Sequence, residues 1–368
     1  MNKRDLGEKF TVTPELEKAW QKVLERFSEA NFLQSPEYGK MNAILGCKII
    51  VEDFGGKGWA LMIVRDAKRG RYLEIPCGPL CDWSDTKAVK AIFEKITAVG
   101  KREKCVFVRV RPQLLATDEN LALLGSLGLK KSPMHLAAEH TVMIDLTKSE
   151  EELLAGMRRQ TRYEVRRADK LGLKVTRGET EADFREFHAV QTETARRQDF
   201  VPPSLEVLMA EREAFSGNIW VYKVVTSGKE VDDANTKVSS ETHNDGAETN
   251  ASPEASQPVA YGLIVRGGRE GDYYEAASTD LNRKLPGAYA LLWQAMRDLK
   301  VAGCERFNLW GIAPAGQPNH RYAGVTTFKT GFSDDVVEFV PAHDLILSRM
   351  GYLKDYVVEA ARKKRRHL

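Results

Sequence analysis

DYYEAASTDLNRKLPGAYALLWQAM, residues 272–296, reads as a strand, a polar loop and the start of a helix. The helix runs on to about residue 302, and a further strand follows at 306–310. Upstream, NIWVYKVVT (218–226) and VAYGLIVRG (259–267) are β-branched and aromatic runs. Three extended runs in succession predict an antiparallel meander that leads into a helix and a last strand.

The first turn of that meander is enlarged. Residues 227–258 contain no aromatic residue, and Val231 and Val238 are their only aliphatics larger than alanine. Such a segment cannot bury enough apolar surface to offset the entropy of ordering, so disorder is expected. Because long insertions at a hairpin tip add little closure entropy, we read it as a swollen turn within one sheet rather than a linker between domains.

The same layout occurs twice. A helix at 14–30, with Leu16, Trp20, Val23 and Phe27 at helical spacing, and a short helix from Ser35-Pro36 open the first block. Strands at 47–54, 59–65 and 71–75, a helix at 85–99, a strand at 105–110, a helix at 119–127 and a strand at 140–146 complete it. In the second block, basic helices over 150–171, a strand at 173–177 and helices at 181–197 and 204–215 precede the meander. This order is α+β. It resembles the acyltransferase fold of the GNAT superfamily in tandem, with domain 1 over 1–145 and domain 2 over 146–341.

With 42% hydrophobic residues in 368, the chain is long enough for about two globular cores. The N-terminus has no apolar signal region, and no apolar run approaches the roughly 18 residues of a spanning helix, so a cytoplasmic, soluble protein is expected. Five scattered cysteines suit buried free thiols better than a disulfide framework, and the histidines show no metal-ligand spacing. The segment 227–258 holds two lysines and seven acids, a charge of −5, so the net +3 leaves +8 on the remainder. Anionic partners such as phosphates, nucleotides or RNA follow.

Four stretches bear on chemistry. MRRQTRYEVRRADKLG (157–172) is +4, and Arg158, Arg162 and Arg166 recur every fourth residue as a cationic stripe on one helix. It is either a solvated face or a phosphate and RNA contact, and the C-terminal ARKKRRHL adds a second basic cluster. SPEYGKMNAILG (35–46) puts Tyr38, Lys40 and Asn42 near a helix N-terminus, which is either a plain helix start or one whose free N–H groups favour an anion. RKLPGA (283–288) lies where acetyl-CoA enzymes cradle pyrophosphate. Its glycine spacing fails, because Tyr289 fills the small-residue slot counted from Lys284, which argues against acetyl-CoA. TTFKTGF (326–332) sets Lys329 between Phe328 and Phe332, either as the wet edge of a packed turn or as a cation held in a cleft. Nucleophile-elbow, zinc-protease and Walker signatures are absent from the sequence.

The succession TRYEVRRADKLGLKV, YYEAAS…LPGAYALLWQAM…GCERFNLWGI and HRYAGVTTFKTGF closely resembles the FemABX family of aminoacyl-tRNA-dependent transferases, which build peptidoglycan side branches. LQSPEYGKM in the first block is looser support. The resemblance implies two GNAT-like domains facing a cleft, with the C-terminal segment 342–368 rejoining domain 1 as a helix from about Leu345. It implies transfer of an aminoacyl group from tRNA to the stem-peptide amine of a UDP- or lipid-linked precursor, without a cofactor. In that reading Phe328 stacks on the terminal adenine and Lys329 is a fixed charge for the oxyanion or a tRNA phosphate. The arginine stripe takes tRNA. Tyr38, Lys40, Asn42 and Arg197 approach the acceptor, with Arg197 standing in for an arginine missing near 201–203. On the strand, Tyr273 and Glu275 share one face by alternation and meet substrate. The helical-hairpin arm of some relatives is absent, and the chain is expected to act as a monomer, with peripheral membrane contact if the acceptor is lipid-linked. An N-acyltransferase using another donor such as acetyl-CoA, or a non-catalytic RNA-binding module, stays open.

Overall fold

The computed structural model describes residues 10–68, 70–227 and 256–366, so the expected disorder of the acidic insertion falls almost wholly outside the described residues. The first unit contains helices α1 (Pro14–Arg26) and α2 (Pro36–Ile44), and strands β1 (Lys48–Asp53), β2 (Gly58–Ala67), β3 (Gly70–Pro76) and β4 (Leu80–Cys81). Helix α3 (Thr86–Arg102), β5 (Phe107–Arg111), α4 (Asp118–Ser126) and β6 (Lys130–Lys131) follow. Ser35 caps α2 with Pro36 at its first turn, as the sequence signals. Alternation along β2 divides the core. Ala60, Met62 and Val64 face the cluster under α3, while Trp59 and Leu61 face Trp20 of α1.

The second unit runs β7 (His140–Asp145), α5 (Glu150–Gly156), α6 (Arg159–Lys170), β8 (Lys174–Gly178), α7 (Glu181–Gln198), α8 (Leu205–Ala214) and β9 (Ile219–Val225). Then come β10 (Pro258–Gly267), β11 (Glu270–Ser278), α9 (Gly287–Val301), β12 (Arg306–Gly311), α10 (Ala323–Lys329) and β13 (Val336–Glu338). Val225 pairs with Pro258, so the insertion stands at the tip of a hairpin within one sheet. On one face, Tyr222, Ile264 and Leu292 pack beneath α9; on the other, Val221, Leu263 and Phe187 pack beneath α7 and α8.

Two segments sit elsewhere than the sequence order suggests. Strand β7, expected to complete the first block, lies between β12 and β13 in the second sheet. Val142, Ile144 and Leu146 bury against Phe307 and Leu309, an apolar alternation that either sheet could accept and that only tertiary packing decides. Leu345, expected to start a helix, lies in strand β14 (His343–Ile346), which inserts between β5 and β6 of the first sheet. Helix α11 (Arg349–Arg366) follows, tied by Arg109 of β5, which bonds Asp344 at 2.7 Å and Glu359 at 2.8 Å.

The units share a core rather than merely abutting. The Phe32 ring of the first unit packs against Phe215, Tyr274 and Trp310 of the second, with centroids 5.1–5.9 Å apart. Beside it Asn31 Nδ2 donates to Glu270 at 2.5 Å and to Asp272 at 3.2 Å.

Candidate active-site cleft

Strands β11 and β12 pair in parallel only from Glu270 to Asp272, opposite Arg306 to Asn308, and then part. The register between β10 and β11 also slips here. Ile264 faces Tyr273 and Leu263 faces Glu275, leaving Tyr274 as a bulge. The split opens a cleft of about 370 Å³ whose walls include Tyr273, Glu275, Tyr289, Phe328 and Lys329. The meander, α9 and α10 thus bring together the residues singled out in TTFKTGF and DYYEAAS.

Lys329 ends α10 and is 7% exposed. Its Nζ donates to the Gly311 carbonyl at 2.8 Å and stands 5.7 Å from the centre of the Tyr273 ring. Trp310, just before Gly311, holds φ +62°, an unusual backbone state for a bulky residue, and the β12–β7 register breaks over the same residues. Burial pushes the Lys329 amine down to about 7. It is therefore not the permanently charged group expected from sequence, but one that titrates near neutrality. Phe328 meets Tyr289 edge-on at 5.0 Å and Phe332 at 5.3 Å, an aromatic wall at the mouth of α9.

The bulge overturns one expectation. Tyr273 packs on the α9 face, whereas Glu275 points to the α7 face and accepts from Gln191 Nε2 at 2.5 Å. An extra residue between them breaks the period of two. Burial raises the Glu275 carboxyl to about 7, and burial together with Glu275 raises Glu211 on α8. Glu211 Oε2 and Gln191 Oε1 are buried without hydrogen-bond partners among the described residues. Sequence reasoning missed both, because their partners lie on different elements.

The first-unit candidates occupy the seam between units. Tyr38 stacks edgewise on Phe32 at 6.2 Å, and burial pushes its phenol up to about 12. Asn42 is fully buried, donates to the Tyr38 carbonyl at 2.9 Å and leaves Oδ1 unpartnered; Lys40 is half-buried. Ser35 occupies the Tyr38 amide and is itself buried, so the α2 N-terminus is the plain capped helix start rather than a site open to an anion. Arg197 bonds Asp280 at 2.8 Å and the Ser278 carbonyl, tying the end of α7 to the end of β11 at the cleft rim.

The arginine stripe is rearranged. Arg158 precedes α6 and donates to the Thr327 and Thr330 carbonyls of α10, and Arg162 donates to the Met157 carbonyl at the end of α5. Arg159, Arg162, Tyr163, Arg166, Arg167 and Lys170 line one groove of about 480 Å³. The 4-3-4 spacing of Arg159, Tyr163, Arg166 and Lys170 is a better helical face than every fourth residue. Arg167 also donates to the Lys284 carbonyl in the loop before α9, so α6 is bonded to both segments that frame the cleft.

At the start of α9 the Ala288 amide donates to Asn282 Oδ1 at 3.0 Å, and the Tyr289 ring stacks beside Phe332 at 5.8 Å. The Ala288 amide is thus engaged, and Tyr289 stands in the slot where a cradle of amides takes a small residue, while Asn282, Ala288 and Tyr289 also line the cleft. The five cysteines are free, four of them buried, and among the described residues no group of three metal-ligating side chains gathers.

Comparison with known proteins agrees with this geometry. A model described as the FemAB family matches residues 17–123, 127–206 and 225–359. The aminoacyltransferase FemA of Staphylococcus epidermidis is 21% identical over 328 residues, 73% of this chain and 78% of that one. A crystal structure of FemX superposes with a TM-score of 0.77 at 17% identity, covering 96% of this chain and 100% of that one. The structure of L-PGS from Bacillus licheniformis is similar at a TM-score of 0.53 and 13% identity, over 98% and 99% of the two chains.

Proposed function

The chain belongs to the FemAB family, and on that premise we propose that it transfers an aminoacyl group from aminoacyl-tRNA to the stem-peptide amine of a peptidoglycan precursor, UDP- or lipid-linked. The observation that carries the proposal is that the helix bearing the cationic groove is bonded, through Arg158 and Arg167, to the two segments that frame the cleft holding Phe328, Lys329 and Glu275. The groove suits the phosphates of an acceptor stem, with Tyr163 as a stacking surface. The 3′-aminoacyl adenosine then enters past Phe328, and the ester carbonyl comes to Lys329.

In this reading the acceptor amine attacks the ester carbonyl. A C–N bond forms, the C–O bond to the ribose breaks, and the proton lost by the amine ends on the ribose oxygen. Protonated Lys329 stabilises the oxyanion. Glu275, backed by Gln191 and Glu211, accepts a hydrogen bond from the attacking amine and orients it. Tyr38 and Lys40 at the seam between units and Arg197 at the cleft rim lie on the approach of the acceptor, with buried Asn42 supporting Tyr38 from behind. No cofactor is required, and the protein acts in the cytoplasm. An acetyl-CoA donor fits poorly, because Asn282 and Tyr289 occupy the α9 N-terminus. A non-catalytic RNA-binding role leaves Lys329 and Glu275 without a purpose.

The test is transfer of labelled amino acid from charged tRNAs to UDP-linked and lipid-linked muropeptide precursors, with Lys329→Ala alongside. Transfer that the variant lacks supports the reading. Failure across all twenty charged tRNAs and both acceptors sinks it.

A further inference from the structure

Helix α11 turns its apolar residues outward. Tyr352 and Asp355 are buried, at 8% and 3% exposure, and Glu359 bonds Arg109. The Tyr352 hydroxyl donates to Asp344 at 2.9 Å. On the other side Met350, Leu353 and Val357 are 82%, 62% and 57% exposed, with Tyr356 beside them at 43%. Spacings of three and four residues gather them into one stripe. Rotating that stripe inward would pull Glu359 from Arg109, so the buried ion pairs fix the outward face. After Glu359 the sequence holds no acid and continues AARKKRRHL, with Arg362, Lys363, Lys364, Arg365 and Arg366 in succession.

We propose that α11 is a membrane-surface helix: its apolar stripe enters the headgroup region of a bilayer containing anionic lipid, and the basic run beyond it meets lipid phosphates. Apolar stripe and adjoining cations together define a helix that lies in the interface plane. A second copy of the chain would bring like-charged runs together. RNA would engage the basic run but leave the stripe in water. An anionic bilayer satisfies both halves. Among the described residues no helix is long and apolar enough to cross a membrane, so the contact is peripheral. The inference rests on α11 alone and stands apart from the transferase reading.

The experiment is co-sedimentation of the full chain with vesicles of phosphatidylcholine containing about 30% phosphatidylglycerol, and with phosphatidylcholine alone, at about 100 mM salt. Wild type partitions to the anionic vesicles at least about tenfold better than to neutral ones. Met350→Ser/Leu353→Ser/Val357→Ser lowers that partitioning about tenfold or more with an unchanged melting temperature. If the triple variant does not fold, Leu353→Trp replaces it, and vesicles with brominated acyl chains quench its fluorescence beyond the wild-type level. Wild type left in the supernatant overturns the proposal. So does a folded triple variant that sediments like wild type, which would mean electrostatic attraction only, or loss of self-association in that variant with no vesicle binding in either. Leu353→Trp fluorescence quenched no more than wild type overturns it as well.

Discussion

Lys329 donates to the Gly311 carbonyl at 2.8 Å, and no carboxylate pairs with it among the described residues. The ammonium is therefore held by a dipole and an aromatic ring in a buried site. Its folded pKa of about 7 lies below the ordinary 10.5. Between those values the folded state binds fewer protons than the unfolded one, so stability rises with pH across that window, and the full penalty applies below pH 7. Lys329→Met is expected to stabilise the fold by a few kcal/mol at pH 6, on the order of the 1.4 kcal/mol per pKa unit, with the gain fading toward pH 10. The same change lowers aminoacyl transfer about 100-fold or more, as loss of an oxyanion donor does. Denaturant melts at pH 6 and 9.5 and labelled transfer check both; a variant less stable at pH 6 contradicts the burial argument.

Glu275 presents the opposite sign. Its folded pKa of about 7 exceeds the ordinary 4.5. The folded state binds extra protons between those values, so stability falls as pH rises through the window and the loss is complete above 7. Glu275→Gln should stabilise at pH 8 by about 1–3 kcal/mol, the lower end allowing for solvent at the cleft, and leave stability unchanged near pH 4. If Glu275 orients the amine, the variant raises the KM for the acceptor and leaves tRNA retention untouched. A KM that stays put assigns the carboxyl to structure alone.

Most elements were legible because their signals are local. Thr13, Ser35, Thr180 and Ser204 cap the helices that they precede in sequence, and the β-branched runs around the insertion are neighbours in one sheet. What escaped depends on partners far along the chain. The alternation of β7 does not say which sheet it joins. The bulge at Tyr274 reverses the side on which Glu275 falls, and it arises from the pairing with β10 rather than from the strand's own residues. Glu211 and Glu275, on a helix and a strand, come near enough for Glu275 to raise the Glu211 carboxyl, through a fold that neither sequence stretch announces. The spacing of Arg158 and Arg162 does not announce that both also donate to backbone carbonyls of neighbouring segments.

That last difference is testable on the α6 groove. Arg159 and Arg166 line it and have no bonded partner among the described residues, whereas Arg162 ties α6 to the end of α5. Arg159→Glu/Arg166→Glu should weaken tRNA retention and reduce the slope of log affinity against log salt by about 1 for each phosphate no longer neutralised. Arg162→Met should act mainly on stability, by about 1–2 kcal/mol, through the carbonyls it leaves unbonded. Filter binding across a salt series and thermal melts separate the two. Equal salt slopes for wild type and the double reversal would remove the groove from the RNA path.

Arg109 joins the returning chain to the first sheet. Its guanidinium is 4% exposed, bonds Asp344 at 2.7 and 2.9 Å and reaches Glu359 at 2.8 and 3.2 Å. Asp344 is 0% exposed, so removing the arginine strands a carboxylate that water cannot reach. Arg109→Met is expected to cost about 3–5 kcal/mol, because breaking one side of a buried pair leaves the other charge uncompensated. Arg109→Met/Asp344→Leu should recover much of that loss, since an apolar pair of similar volume restores packing without desolvating charge. The loss should be local in its first effect. Hydrogen exchange in β14 and α11 quickens before exchange in β9, β10 or β11, whose pairing does not involve Arg109. A uniform quickening across both sheets would show instead that the returning strand is part of one cooperative unit with the cleft.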